Sequence, residues 1–175
     1  MRDDRNKWAA SGTLGDGFEI GDVVVSRVRV SRQLLVSGPR VRTQIDVPTV
    51  GWPEICEATT YALSLRRDRV LVVNGDPVED GWDDATSQAR SDASDLYSVF
   101  DLSGRDAFNV VKRGTEISME SPSRSVLRRF FGLQVMLYRV QAEDRFRLHV
   151  ARASEDALLG YLESAAGSAW AARSR

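Results

Sequence analysis

The stretch Ser91–Gly104, SDASDLYSVFDLSG, sets three aspartates and four serines around one short apolar run. Carboxylates gathered in this way could share general acid and base work. The same residues could instead bond to their own backbone and shape a strand entry. Cys56, the single cysteine, would act as a nucleophile only beside a base. Its residue type fits a small buried apolar position better. His149, the single histidine, has no cysteine or histidine partner for zinc. It lies between arginines on what reads as a polar strand face, as an ordinary exposed or interface histidine. The acidic run Asp76, Glu79, Asp80, Asp83 and Asp84 lacks the glycine and final glutamate spacing of a calcium loop and reads as solvated. Neither a GxGxxG nor a GxxxxGK[ST] nucleotide loop is present. The segment SRSVLRRFFG combines Arg124, Arg128 and Arg129 with Phe130 and Phe131. That pairing of arginine with aromatics is enriched at protein interfaces.

The elements that must position these residues follow from periodicity and turn signals. DVVVSRVRVSRQLLVSG reads as one or two strands closed by Ser37-Gly38-Pro39. A short helix is expected near Pro53–Leu63, then a buried strand Arg69–Val73 ended by Asn74-Gly75-Asp76-Pro77. VEDGWDDATSQA reads as an acidic short helix or loop anchored by Trp82. LYSVFDLSG is a strand by its aromatic and β-branched content. Ser103 and Asp106 make a capping-box-like start to a helix with Ala107, Phe108, Val110 and Val111 on its apolar face and Gly114 as its stop. GLQVMLYRV and RFRLHVAR read as two more strands, the second with Phe146, Leu148 and Val150 buried and Arg145, Arg147 and His149 wet. Ser154 is expected to cap a last helix with Ala157, Leu158, Tyr161, Leu162 and Ala165 as its core stripe. The order of elements is α+β.

The chain has 175 residues and a formal net charge of −1. Charge so close to zero gives no field for nucleic acid or an anionic membrane. No apolar run approaches the ~20 residues of a membrane helix. One cysteine excludes an intrachain disulfide and suits a reducing, cytoplasmic setting. The expected organisation is a flexible arm over residues 1–18, one domain over 19–167 and a tail over 168–175.

SDASDLYSVFDLSGRDAFNVVKRGTEISM resembles the central motif of the gamma subunit of heterotetrameric sarcosine oxidase. The matching features are Asp92 and Ser94, the turn Leu102-Ser103-Gly104, the helix Ala107–Val111 and the stretch Gly114–Ile117. FGLQVMLYRVQAEDRFRLHVARASEDALLGYLESA is similar to the family's closing strand–strand–helix, and QLLVSG to its first-strand pattern. The resemblance implies the aminomethyltransferase (T-protein) folate-binding fold: α+β, two intertwined β-α-β-β-α halves with mixed and antiparallel sheets. The T-protein pattern carries an aspartate pair before the strand matching VMLY and an asparagine after FRLxV. Those positions fall here on Leu133, Gln134 and Arg152. Leu133 and Gln134 cannot supply a carboxylate, and Arg152 cannot give an amide's donor and acceptor together.

The resemblance therefore implies a non-catalytic subunit, holding no cofactor or metal itself, of a complex that oxidatively demethylates sarcosine or another N-methyl amino acid. FAD, FMN, NAD, tetrahydrofolate and zinc would sit on partner alpha, beta and delta subunits, with alpha as the main contact. Trp8, Arg124, Arg128, Arg129, Phe130, Phe131 and Trp170 are the interface candidates. The competing reading is a stand-alone folate-binding aminomethyltransferase-like enzyme or accessory protein. Under the scaffold reading, Asp92 and Ser94 shape a strand entry, Ser103 caps the following helix and Asp101 flanks the turn.

Overall fold

VVVSR buries Val23 and Val25 and exposes Val24 between them, which is the two-residue period of a strand. It forms β2 (Val23–Arg27), paired back on β1 (Gly17–Ile20). The computed structural model describes residues 16–52, 54–116 and 124–173. In one sheet β1 and β2 continue into β10 (Tyr97–Ser103), β13 (Phe146–Ala151), β12 (Leu133–Val140) and β11 (Leu127–Phe130). A short β5 (Ile55–Cys56) joins β12 in parallel at Arg139 and Val140, past the end of β11. The second sheet runs β4 (Thr49–Val50), β6 (Tyr61–Arg66), β7 (Arg69–Val73), β3 (Gln33–Ser37), β9 (Gln88–Asp92) and β8 (Gly81–Asp83). All its pairs are antiparallel except β4 with β6.

The sheets stack face to face. Tyr61, Leu63 and Leu71 of the second sheet share a core with Met136, Tyr138 and Val140 of the first. The opposite face of the first sheet carries Phe100, Leu102, Leu137, Phe146 and Leu148, and these pack on helices α2 (Ala107–Gly114) and α3 (Glu155–Arg173). Each such fully buried side chain contributes roughly 1.5–3 kcal/mol. A third cluster, Leu34, Val36, Val70 and Val72, lies on the outer face of the second sheet against Val41 of α1 (Val41–Gln44). The fold is thus α+β with mostly antiparallel sheets, as expected. Covering both faces of the first sheet is what places a polar layer deep inside it.

Several local expectations give way to tertiary pairing. The segment expected as a helix over Pro53–Leu63 instead forms β5 and the start of β6, whose YALSLR buries every residue but its last. Alanine and leucine favour helix in isolation, but a strand seated between β4 and β7 with both faces covered outweighs that preference. The acidic stretch around Trp82 is the β8–β9 hairpin. The Asp83 carboxylate accepts from the Ala85 amide at 3.0 Å and the Thr86 hydroxyl at 2.9 Å, which closes the turn.

Ser103 is the last residue of β10 rather than a helix cap. Asp106 stands at the start of α2, and its carboxylate accepts from Asn109 at 3.0 Å. Ser154 closes a 3-10 turn that runs straight into α3 at Glu155. In α3 the buried stripe is Leu158, Leu159, Leu162, Ala165, Ala166 and Ala169, while Ala157 and Tyr161 are exposed. The stripe is rotated by about one residue because Glu155 faces the sheet, where it pairs with Arg27 and accepts from Ser98. The helix also continues through residues 168–173, expected as a tail.

Candidate functional site

The most polar part of the interior is built around Asp101, which is 1% exposed in the middle of β10. A buried carboxylate without a partner is costly enough to be excluded from most interiors. Asp101 has two partners. Arg147, directly opposite it on β13, donates from Nε at 2.7 Å and from Nη2 at 3.0 Å. Arg145 donates from Nε at 3.1 Å and Nη2 at 2.7 Å. Burial works against the Arg147 guanidinium, but the hydrogen bonds and charge of Asp101 outweigh it and raise its pKa above the ordinary arginine value. Asp101, expected only to flank a turn, is thus a buried charge within a strand, and the face carrying Arg147 and His149 is not wet. It is the interface between the two sheets.

From Arg147 a chain of hydrogen bonds crosses that interface with one direction throughout. Arg147 Nη1 can only donate, and it reaches the Tyr61 hydroxyl of β6 at 3.3 Å. Tyr61 then donates to Tyr138 on β12 at 2.7 Å, and Tyr138 donates to His149 Nε2 at 2.8 Å. At the far end the Gln33 amide nitrogen donates to the Tyr97 carbonyl at 3.1 Å. That leaves the Gln33 oxygen to accept from His149 Nδ1 at 2.6 Å. The tautomer is thereby set: protonated Nδ1, lone pair on Nε2. His149 is fully buried, and burial together with the Arg147 charge lowers its pKa to about 3. The exposed histidine expected from the sequence is thus a neutral core group. Burial also raises Tyr61 and Tyr138 above the ordinary phenol value, and raises the Cys56 thiol. The groups of this chain are neutral or ion-paired, and each is spent on its neighbour. It ties the two sheets and holds no poised acid or base.

Beside His149 the gap between the sheets opens into a cavity of ≈ 280 Å³. Leu35, Leu65, Leu127 and Met136 supply its apolar lining, and the exposed Arg66, Arg69 and Gln134 stand at its mouth. A neighbouring cleft of ≈ 330 Å³ shares Leu127 and Gln134 and adds Arg128, Arg129 and Gly132. Among the described residues no aspartate or glutamate lines either one. Among the described residues no group of three histidine, cysteine, aspartate or glutamate side chains is placed to hold a metal.

The interface candidates scatter. Trp8 lies outside the described residues, as does the side chain of Trp170. Arg124 and Arg129 are exposed; Arg128 is half-buried and donates to its neighbour's carbonyl, Leu127 O, at 2.9 Å. Phe130 is a correction: it is fully buried in the helix-side core and presents no surface. Phe131 is half-buried, with its backbone at φ 48°, and stacks on Tyr161 of α3. Leu133 and Gln134 begin β12, Leu133 half-buried and Gln134 exposed. Arg152 is exposed, 3.6 Å from Asp95. Asp92 and Ser94 do what their types suggest: the Ser94 backbone N–H donates to Asp92 at 2.8 Å, and the Ser94 hydroxyl accepts from the Gln33 backbone N–H at 3.0 Å. Sequence reasoning missed Asp101, Gln33, Tyr61 and Tyr138. Their partners lie up to 116 residues away, and no local pattern marks them.

No protein-family model matches the chain, and no curated protein matches it in sequence. Its fold is similar to that of a chain in the solved heterotetrameric sarcosine oxidase from Corynebacterium sp. U-96, in complex with pyrrole 2-carboxylate. The TM-score is 0.66 at 16% sequence identity, over 97% of this chain and 96% of that one. The two chains share one fold almost from end to end.

Proposed function

We propose that this chain is a non-catalytic, gamma-type subunit of a sarcosine-oxidase-like heterotetrameric flavoenzyme. The observation that carries this reading is the end-to-end match in fold to a chain of such an oxidase. The buried polar chain supports it, because its acids and bases are consumed in holding two sheets together. In this reading the two stacked sheets are the intertwined halves of a T-protein-like fold. The complex demethylates sarcosine or a related N-methyl amino acid in the cytoplasm and passes the one-carbon unit to tetrahydrofolate. FAD, FMN, NAD, tetrahydrofolate and zinc belong to alpha, beta and delta partners.

The docking surface centres on exposed Arg124 and Arg129 with the Phe131–Tyr161 stack; Trp8 and Trp170 stay interface candidates by residue type. Arginine and aromatics are the residue types that anchor such interfaces. Co-expression with alpha-, beta- and delta-type subunits, followed by size-exclusion chromatography and an oxidase assay, tests the proposal. The expected result is one stoichiometric complex whose yield falls when this chain is omitted. A stable monomer that ignores these partners and turns over an N-methyl or folate substrate alone would establish the stand-alone enzyme instead.

A further inference from the structure

Between β6 and β7 the ladder slips: Ser64 pairs with Val70, but Arg66 pairs with Arg69, so Leu65 is an extra residue in β6. In a regular strand Leu65 and Arg66 would point to opposite faces. The bulge turns both toward the gap between the sheets, and both line the cavity there. Its consequence is that two arginines face one another directly across a hairpin. Like charges so placed are destabilising. Among the described residues neither Arg66 nor Arg69 forms an ion pair, and Asp68 in the intervening turn pairs with neither. Several arginines elsewhere are ion-paired: Arg27 with Glu155, Arg90 with Asp83, Arg145 and Arg147 with Asp101. Arg69 is also held in place, its Nε donating to the Ser37 hydroxyl at 3.0 Å. Tyr97 and Gln134 line the same cavity, and their hydroxyl and amide have no hydrogen-bond partner among the described residues.

We propose that this cavity binds a small monocarboxylate with an apolar stem, its carboxylate held by Arg66 and Arg69 and its stem lying among Leu35, Leu65, Leu127 and Met136. Two guanidiniums present paired donors that fit a carboxylate better than any neutral group. An anion between them also removes the repulsion that the bulge creates. The volume of ≈ 280 Å³ sits near the small end of ligand pockets, which limits the stem to one ring system or a short alkyl chain. This site is independent of the proposed role in a complex and is tested on the full chain alone.

The probes are indole-3-acetate and hexanoate, with indole-3-acetamide and hexanamide as the same shapes without charge. Calorimetric titration is expected to show one-to-one binding of an acid, about tenfold or more tighter than its amide. Arg66→Gln and Arg69→Gln, both at exposed positions, should bring acid and amide to equal affinity. Arg67→Gln, which alters an exposed arginine in the turn outside the cavity, should leave the preference intact. Without ligand, Arg66→Gln should melt higher than the parent, since the repulsion is gone, and should lose the acid-induced rise in melting temperature. The site is overturned if neither acid saturates, if acid and amide bind equally to the parent chain, or if Arg67→Gln weakens binding as much as Arg66→Gln.

Discussion

Asp101 and Arg147 are Cα partners across the β10–β13 ladder, joined by two hydrogen bonds of 2.7 and 3.0 Å with the carboxylate almost wholly out of water. Removing one member of such a pair leaves the other charged and buried, a loss of about 3–5 kcal/mol. Asp101→Asn should cost this much in urea unfolding. Arg145→Gln should cost less, because Arg145 is more exposed and Arg147 still satisfies the carboxylate. Equal losses for the two variants would show that Asp101 is not the organising charge.

The Tyr61–Tyr138 bond bridges the two sheets at 2.7 Å. Tyr138→Phe leaves the His149 acceptor unmet and the Tyr61 donor without its partner, at a cost of about 1–3 kcal/mol. Tyr61→Phe strands one Arg147 donor and leaves the Tyr138 oxygen without a donor, but Tyr138 keeps its bond to His149, so it should cost less. A double-mutant cycle should give a coupling of about 0.5–3 kcal/mol between the two hydroxyls. A coupling near zero would mean the relay does not act as a unit.

His149 gives stability a defined pH dependence. Its folded pKa of about 3 lies below the ordinary value of 6.5. Between those limits the unfolded chain binds the proton and the folded chain does not, so stability rises with pH through this window and is lost as pH falls. The His149 contribution to the slope reaches at most ~1.4 kcal/mol per pH unit. The carboxylates of Asp83, Asp92 and Glu155, lowered mainly by hydrogen bonds from Thr86, Ser94 and Arg27, act in the same direction at lower pH. Urea midpoints should therefore fall less steeply from pH 7 down to pH 4 in His149→Gln than in the parent chain. Parallel pH profiles would place the proton uptake elsewhere.

Gly104 has φ +103°, and a Cβ there would lie 1.9 Å from the Asp22 carbonyl oxygen. Backbone on both sides cannot yield as a flexible side chain would. Gly104→Ala should lose about 3 kcal/mol or more through strain and overlap together. Gly132, at φ +82° with nothing within 4 Å, isolates the conformational part alone, so Gly132→Ala should lose less. Thermal melts of the two variants separate these contributions.

Much of this architecture is written locally. The apolar face of α2, the alternation of Phe146, Leu148 and Val150, the Asp92–Ser94 strand entry and the break of β10 at Gly104 all follow from neighbours within a few residues. Those features need only backbone geometry and the burial of one face. What the tertiary structure alone decided is the meaning of the other face. Arg147 and His149 alternate with apolar residues as solvent-facing side chains do, but a second sheet covers them and makes them a buried relay. The residues that make this possible, Gln33 and Tyr61, lie 116 and 86 positions from their partners His149 and Arg147. The bulge at Leu65 likewise depends on how β6 meets β7, not on any motif within β6. Alternation reports that a strand has two different environments; only packing determines which of them is water.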